Sequence, residues 1–226
     1  VDTGFDNNDF LTSSTSYTLN GTLGAELGAG EYVQVSMDGG TTWVYATVSG
    51  TQWRYSDTRT LTDGSYSYQV RVVDQAGNVG ATTSQAVTVD TQAPQYGITI
   101  DSISDDTGQS GSDFITMDTT LTLNGSLGSA LAGDERVQIS LDGGNTWIDA
   151  SVTNQRWSYT DTRDLPDGVY AYQVRIVDQA GNVGSTASQI VTVDTTPPDT
   201  VGTVVSYTDG EGERQGTYGA SVATDD

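Results

Sequence analysis

The sequence repeats itself with a period of 104 residues, and no insertion separates the two copies. Residues 9–90 superpose on residues 113–194 with 50 identities in 82 positions. Each copy has the length of an ordinary domain, so it can bury a core of its own, whereas the short units of a solenoid need their neighbours. The repeat therefore predicts an array of similar, separately folded domains.

The period also sets the expected domain boundaries. We expect repeat one at residues 1–93, repeat two at residues 94–197 and the incomplete start of a third repeat at residues 198–226. The linkers, residues 91–94 and 195–198, are short, contain proline and follow an aspartate. Because Val1 stands where repeat two has Asp105, repeat one is expected to lack its first strand, and the sequence is expected to be part of a longer array.

Alternation of apolar and polar residues runs through both copies. In repeat one, Tyr66, Tyr68 and Val70 alternate with Ser67 and Gln69, and repeat two keeps the pattern. Short strands of this kind, separated by Asp–Gly turns, predict an antiparallel sandwich. The expected fold class is all-β, with tandem antiparallel Ig-like β-sandwich domains joined by short acidic, proline-containing linkers.

Two local motifs support the sandwich. Residues 61–66 and 165–170 resemble the tyrosine corner of Ig-like domains, in which a tyrosine hydroxyl reaches back to the backbone of the corner. Residues 36–43 and 140–147 fit an Asp-box hairpin, whose Gly–Gly pair supplies the positive φ of a tight turn, and we interpret it as structural. Trp43 and Trp53 are expected to anchor the core.

Composition excludes several classes of function. The chain has a net charge of -22, no histidine and no cysteine. It therefore lacks the usual general base, thiol nucleophiles, disulfides and zinc ligands. The acidic charge makes nucleic acid a poor partner, and no apolar run approaches the roughly 20 residues that span a bilayer. We expect neither nucleic acid nor membrane to contact this segment.

Aspartate dominates the acidic residues, with 25 Asp against five Glu. A short carboxylate suits turns and hard-cation sites, although a solvated acidic surface would also explain the charge. Strand direction in an Ig-like sandwich brings the last hairpin of one domain to the early loop and final-strand exit of the domain before it. The sequence therefore predicts carboxylates gathered at the junctions. The candidate metal ligands are Asp2, Asp6, Asp9, Asp74, Asn78, Asp90, Asp101, Asp105, Asp106, Asp113, Asp178, Asn182, Asp194, Asp199 and Asp209.

Calcium is the cofactor expected at these junctions. It takes about six to eight oxygens in flexible geometry, and carboxylates packed closely repel one another unless a cation lies between them. Asp105, Asp106 and Asp113 form the strongest group, because three carboxylates share one glycine-rich loop. Asp74 and Asn78 have an alternative role as organisers of a hairpin.

The same segments resemble the Ig-like extender repeats of very large bacterial repeats-in-toxin adhesins, which type I systems secrete. The resemblance rests on residues 105–108 with 113–116, on residues 178–182 and on residues 193–198, and it covers both repeats. It implies tandem domains that bind calcium within and between units. The ions would stiffen the chain, which holds a ligand-binding tip away from the cell.

The leading functional expectation is a non-catalytic, calcium-stiffened spacer of an extracellular adhesin on the bacterial cell surface. The alternative is an Ig-like module of cell adhesion that binds glycan, peptide or a like domain. Tyr32 and Tyr45 are its candidate residues, since repeat two has Arg136 and Asp149 at these positions. An enzyme is the least favoured class, because the aspartates fall at predicted turns.

The C-terminal tail carries one further expectation. Residues 200–207 are predicted to form the first strand of a third domain. Since repeat one is expected to lack the matching strand, the tail has the option of adding to that open edge in a neighbouring molecule. The chain is otherwise expected to be a monomer whose partners are its own neighbouring repeats.

Overall fold

The computed structural model describes residues 2–209 and 216–219. Their regular structure consists of β-strands, and no helix in this part of the chain is long and apolar enough to cross a membrane. The chain divides into two compact units, Val1–Asp194 and Thr195–Asp226. The first unit contains both repeats.

Repeat one is a sandwich of a five-stranded and a three-stranded sheet. The strands are β1 (Leu11–Thr12), β2 (Tyr17–Thr22), β3 (Glu31–Ser36), β4 (Val44–Tyr45), β5 (Thr47–Ser49), β6 (Gln52–Asp57), β7 (Gly64–Asp74) and β8 (Val79–Val89). The larger sheet has the order β1-β8-β7-β3-β4 and the smaller one the order β2-β6-β5. Strand β1 runs parallel to β8, and the other pairs are antiparallel.

Repeat two follows the same plan and adds one strand. Its strands are β9 (Ile98–Ile103), β10 (Ile115–Thr116), β11 (Thr122–Leu127), β12 (Glu135–Ser140), β13 (Ile148–Asp149), β14 (Ser151–Thr153), β15 (Arg156–Thr160), β16 (Gly168–Asp178) and β17 (Val183–Val193). The five-stranded sheet β10-β17-β16-β12-β13 repeats that of repeat one. The other sheet has four strands in the order β14-β15-β11-β9, because β9 pairs with β11.

The two cores differ in how completely they are buried. In repeat two, Leu123 is fully buried and Trp157 is 1% exposed, within a cluster that includes both ends of β9. The matching Leu19 and Trp53 of repeat one are only partly buried. Successive side chains along each strand point to opposite faces of the sheet, so the shared sequence pattern places the same positions in both cores. The additional strand β9 accounts for the better-covered core of repeat two.

Both corner motifs have the predicted structural role. The hydroxyl of Tyr66 donates to the carbonyl of Thr62 at 2.7 Å, and that of Tyr170 donates to the carbonyl of Pro166 at 2.7 Å. These bonds fix the turn that leads into the long strands β7 and β16. The prediction of a tyrosine corner is confirmed.

The Asp-box hairpins are held by their aspartates. The hydroxyl of Thr42 donates to Asp38 Oδ2 at 2.6 Å, and its backbone N–H donates to Oδ1 at 2.8 Å. These bonds lower the pKa of Asp38 from 3.8 to about 2, the side-chain bond from Thr42 contributing most. The same bonding lowers the pKa of Asp142 to about 2. Each carboxylate therefore stabilises its own turn in the ionised form.

The prediction that Trp43 anchors the core is wrong, because this residue belongs to the turn. Its ring is only partly buried, its indole N–H donates to the carbonyl of Gly40 at 3.0 Å, and the guanidinium of Arg71 lies 3.8 Å from the ring centroid. The indole of Trp43 therefore packs on the Gly–Gly turn of its own hairpin, and other side chains fill the core.

An ion pair between a buried aspartate and a partly exposed arginine, absent from the sequence-based expectations, ties each sandwich together. Asp161 is 1% exposed and accepts hydrogen bonds from Arg163 and from the hydroxyl of Tyr172. Burial raises the pKa of Asp161, but the bonds from Arg163 and Tyr172 outweigh it and lower the net pKa. Asp57 and Arg59 repeat the pair in repeat one. The buried charge is thus satisfied, as interiors require.

The C-terminal unit contains a hairpin of β18 (Ser206–Asp209) and β19 (Gly216–Gly219). The predicted strand over residues 200–207 is found only from Ser206 onward, because residues 201–205 pair with no other strand in the described part of this unit. The side chains of Val201, Val204 and Val205 are accordingly more than 70% exposed.

The unequal cores predict unequal sensitivity to truncation. Leu123→Ala should destabilise repeat two by about 2–5 kcal/mol, because it leaves a cavity in a closed core. Leu19→Ala should cost repeat one clearly less, since Leu19 is partly exposed already. Hydrogen exchange measured by mass spectrometry reports each repeat separately. Equal losses in the two variants would contradict the difference in burial.

The Asp-box carboxylates predict a pH dependence. Because their pKa values are lowered on folding, they contribute stability above pH 3.8, which is lost as the pH falls towards about 2. In the variant Asp38→Asn/Asp142→Asn, the loss of unfolding free energy between pH 4 and pH 2 should be smaller than in the wild type. Asp134→Asn/Asp164→Asn controls for the removal of two charges. Identical pH profiles for all three proteins, from urea unfolding, would refute this role.

Candidate functional site

The seam between the repeats is the candidate site. We use "seam" for the contact between the two repeats. On the side of repeat one and its linker, it comprises residues 3–5, Asp9, Asp90 and Pro94. On the side of repeat two, it comprises the last hairpin, residues 178–182, with Arg136 and Gly184. The hairpin joins β16 to β17, and its shape is fixed by Asp178. This carboxylate accepts the backbone N–H of Asn182 at 2.8 Å and its side-chain amide at 2.8 Å. Gly181 provides the φ of +90° that the turn requires.

Among the described residues, three hydrogen bonds cross the seam. The hydroxyl of Thr3 donates to the carbonyl of Ala180 at 2.6 Å. The amide of Asn182 donates to the carbonyl of Asp90 at 2.8 Å, and the amide of Gln179 donates to Asp9 Oδ2 at 3.1 Å. The contacts therefore match neutral donors to acidic or carbonyl acceptors.

Two glycines allow the backbones to approach closely. A Cβ added to Gly4 would stand 1.8 Å from the carbonyl oxygen of Gln179, and one added to Gly184 would stand 2.4 Å from the carbonyl oxygen of Pro94. Neither gap accommodates a side chain. Gly4 also has a φ of +97°, which strongly favours glycine. Any other residue at Gly4 would push the loop away from the hairpin.

An aromatic contact extends the seam. The guanidinium of Arg136 lies 4.0 Å from the centroid of the Phe5 ring. A cation over an aromatic face contributes about 0.5–1 kcal/mol at exposed sites. Repeat one has Tyr32 in place of Arg136, and Tyr32 packs edge-on against Tyr45 with ring centroids 5.4 Å apart.

Burial separates two hairpins of identical sequence. At the seam, Asp178 is 3% exposed and Ala180 is 1% exposed. In repeat one, Ala76 and Asn78 are exposed, although Asp74 accepts the same pair of bonds from Asn78. Those bonds lower the pKa of Asp74, the side-chain amide of Asn78 contributing most. The hairpin keeps its shape in both settings, so contact with the preceding repeat causes the difference in burial.

We call residues 2–10 of repeat one and residues 104–114 of repeat two the early loops, because each precedes the short strand β1 or β10. Each early loop contains a carboxylate with one hydrogen-bonded and one unbonded oxygen. Asp2 Oδ2 accepts the N–H of Phe10 at 3.1 Å, and Asp106 Oδ2 accepts the N–H of Phe114 at 3.0 Å. The Oδ1 atoms of both aspartates are buried and have no hydrogen-bond partner. Phe10 and Phe114 adopt positive φ values of 59° and 62°. The two repeats thus share one loop conformation that buries a bare carboxylate oxygen.

The structure brings together only some of the predicted metal ligands. Asp9, Asp90, Asp178 and Asn182 meet at the seam through the bonds given above. Asp101 lies on β9, where its carboxylate accepts bonds from the hydroxyl of Thr99 and the guanidinium of Arg156. The backbone N–H of Gln92 donates to Asp90 Oδ1 at 3.0 Å.

The other predicted ligands lie in loops or beyond the seam. Asp6 is exposed and accepts the N–H of Asn8, and Asp113 accepts the N–H of Ile115. The carbonyl of Asp105 accepts the hydroxyl of Thr116 at 2.6 Å. Asp194 lies at the end of the first unit, and its backbone N–H donates to the carbonyl of Thr116. Asp199 is exposed in the C-terminal unit, and the side chain of Asp209 is outside the described residues.

The described acidic side chains do not form a metal cage by themselves. Within residues 2–209 and 216–219, no group of three or more His, Cys, Asp or Glu side chains is placed to hold a metal ion. A cation in the early loop would therefore take part of its coordination from backbone carbonyls and hydroxyls, which calcium accepts readily. The role of the candidate ligands stays a prediction.

Sequence reasoning missed the glycine contacts of the seam. Gly4 and Gly184 resemble ordinary loop and strand glycines, and the collision that a side chain would cause appears only when the repeats are placed together. The one available signal was that Gly108 and Gly80 occupy the matching positions in the other repeat.

Comparisons with known proteins agree with this architecture. Exoglucanase B of Cellulomonas fimi is 33% identical over 155 residues, which is 67% of this chain and 13% of that protein. The fibronectin(III)-like modules of Clostridium thermocellum CbhA match 82% of this chain and 92% of theirs, with a TM-score of 0.50 and 13% identity. The second likeness supports the fold alone.

The family description "Bacterial Ig-like domain" matches residues 1–91 and residues 93–195. These two matches cover both sandwiches and nearly the whole of the first unit. The chain belongs to the bacterial Ig-like domain family.

Proposed function

We propose that this chain is a non-catalytic spacer of an extracellular bacterial protein, in which the seam fixes neighbouring repeats relative to each other and calcium stiffens the loops. The observation that carries the proposal is the close packing of Gly4 against the carbonyl of Gln179. A loosely tethered pair of domains would not need a glycine at this contact. The extender region of a surface adhesin is the finer form of the proposal.

The seam supports a spacer because its contacts restrain several directions of motion. Three hydrogen bonds, two close backbone approaches and one cation–aromatic contact come from separate parts of the two repeats. Pro94 is buried in the linker and has a fixed φ, which removes further freedom. Contacts of this kind restrict the movement of one repeat against the other.

Calcium fits the early loops for a specific reason. A buried carboxylate oxygen without a hydrogen-bond donor costs stability, and the same oxygen is bare in both repeats, at Asp2 and at Asp106. Asp2 with Asp9, and Asp106 with Asp113, would supply the carboxylates, and backbone carbonyls would supply the remainder. When bound, the ion would neutralise the loop and tie its two ends together.

Net charge favours the same mechanism. With -22 charges on 226 residues, the acidic loops repel one another at low ionic strength. Bound calcium would neutralise its carboxylate ligands and so remove their mutual repulsion. Calcium concentrations outside cells are on the order of 10⁻³ M, which suits loops of modest affinity.

Two observations favour further roles for a spacer of this kind. The likeness to an exoglucanase makes the non-catalytic part of a secreted polysaccharide-degrading enzyme a candidate context. The exposed Tyr32 and Tyr45, 44% and 65% exposed, make repeat one a candidate glycan- or peptide-binding module. The similarity of the two repeats favours length over a dedicated site.

Substitution of the seam glycine tests the spacer. Gly4→Ala should loosen the repeats, because its Cβ collides with Gln179, whereas Gly77→Ala has a similar positive φ and open space around it. Both variants should lose about 1 kcal/mol of stability through the backbone conformation. Only Gly4→Ala should give the two repeats different alignment tensors in residual dipolar couplings. A single shared tensor in Gly4→Ala would rule out the seam as the rigid element.

Calcium removal tests whether calcium stiffens the loops. After removal of calcium, titration should show binding with dissociation constants of about 10⁻⁴–10⁻³ M and a rise in the unfolding temperature. Asp2→Asn and Asp106→Asn should each abolish one site, whereas Asp164→Asn should bind as the wild type does. The proposal fails if unfolding temperature and maximum dimension in small-angle scattering are the same in excess calcium and excess chelator.

A further inference from the structure

The strand that enters the larger sheet of each repeat lies beside the strand that leaves it. In repeat two, β10 runs parallel to the last strand, β17, with Ile115 opposite Thr192 and Thr116 opposite Val193. In repeat one, β1 runs parallel to β8 with the same offset. The chain therefore enters and leaves each larger sheet on two neighbouring strands that point in the same direction.

This parallel pairing decides how tension along the chain acts on the two strands. A pull on both ends of the chain draws β10 towards its own N-terminus and β17 towards its own C-terminus, so the strands are sheared against each other. All hydrogen bonds between sheared strands share the load and have to break together. In an antiparallel hairpin pulled at its open end, the bonds break one after another. The parallel pair is therefore the more resistant arrangement.

Backbone hydrogen bonds join β10 to β17 at both ends of the short strand. The N–H of Thr192 donates to the carbonyl of Phe114 at 2.9 Å, and the N–H of Asp194 donates to the carbonyl of Thr116 at 2.9 Å. The corresponding bonds of repeat one are 2.8 Å and 3.0 Å long. Thr116 is 2% exposed and Val193 is 1% exposed, so water has little access to the inner side of the pair. A bond shielded in this way has no water beside it to replace the lost partner.

The early loop fastens β10 from its other side. The hydroxyl of Thr116 donates to the carbonyl of Asp105 at 2.6 Å, and the N–H of Met117 donates to the hydroxyl of Thr107 at 2.9 Å. These bonds tie the end of β10 to the beginning of the loop that precedes it. A load on the chain has to disturb them as well before β10 slides along β17.

Strand β10 also lies between the load and the core in the order of the chain. Tension that enters repeat two from the linker passes through β9 and the early loop before it reaches β10. Strand β9 pairs with β11 in the other sheet, and β11 follows β10 in the sequence. When β9 is pulled away, β10 therefore still shields β11 and the later core strands from the load.

We propose that β10 and β17 form a load-bearing clamp, by which repeat two resists unfolding when tension acts along the chain, and that β1 and β8 do the same in repeat one. The clamp receives the load at the two ends of the domain and keeps it from the strands that build the core. The need for such a clamp rests on the proposed spacer function, because a spacer transmits tension. The clamp itself requires neither calcium nor the seam.

Two attachment points on either side of β10 test the clamp in single-molecule force spectroscopy of the intact chain. The chain has no cysteine, so introduced cysteines define where tension acts. Ser112→Cys with Thr200→Cys places β10 inside the loaded segment, whereas Met117→Cys with Thr200→Cys leaves it outside, and all three positions are exposed. At the same constant force, repeat two should survive about tenfold longer or more when it is pulled from residue 112, because the sheared bonds then bear the load.

Proline substitutions in β17 test which bonds carry the load. Thr192→Pro removes an N–H that donates to β10. Ser188→Pro is the matched control, because alternate residues of a strand direct their N–H groups to the same side, and in the described part of the chain no backbone bond joins Ser188 to a strand there. With attachment at residue 112, Thr192→Pro should shorten the lifetime about fivefold or more and Ser188→Pro by less than about twofold. With attachment at residue 117, neither should shorten it more than about twofold.

Equal lifetimes for the two attachments without a proline substitution would overturn the clamp, and this comparison does not depend on the folding of any proline variant. Equal effects of the two prolines with attachment at residue 112 would overturn it as well. Neither result bears on the alignment of the repeats in Gly4→Ala or on calcium titration, so failure of the clamp and failure of the spacer are distinguishable.

Discussion

The arrangement of the two repeats depends on the two hydrogen bonds that the side-chain amide of Asn182 donates. It bonds to Asp178 within its own hairpin and to the carbonyl of Asp90 in the preceding repeat. One group therefore sets the shape of the turn and holds the end of the strand that leads into the linker. The hairpin tip, Gln179 and Ala180, is thereby directed at the early loop of repeat one, where Gly4 makes room for it.

The two copies of this hairpin separate local from tertiary causes. Residues 74–78 and 178–182 have identical sequences and the same internal bonds, yet the first is largely exposed, whereas Asp178 and Ala180 of the second are buried. The turn is thus a property of the local sequence, and burial is a property of the neighbour. A tandem array gains from this division, because each hairpin is preformed and the contact adds no cost of ordering the turn.

Alternation and turn motifs were sufficient to predict the sandwich, since both depend on nearest neighbours along the chain. Strand direction was sufficient to predict that Asn182 and Asp90 share a junction. The role of Trp43 was not predictable from alternation, because its indole is held by a turn carbonyl and by Arg71, which is distant in sequence. The pair of the buried Asp161 with Arg163 was missed for the same reason, as Tyr172 reaches it only in the folded sandwich.

Hydrogen bonds hold the seam and cation binding is proposed for the early loop, with Asp9 belonging to both. At the seam, the carboxylate of Asp9 and the carbonyl of Asp90 receive amide donors from the next repeat, so the contact is satisfied without a cation. In the early loop, the buried Oδ1 atoms of Asp2 and Asp106 receive none. Any gain from a cation would therefore arise where the loop closes on itself. Loop closure places Thr3 and Gly4 against the hairpin, so a cation in the loop would act on the seam by holding one of its two faces in shape.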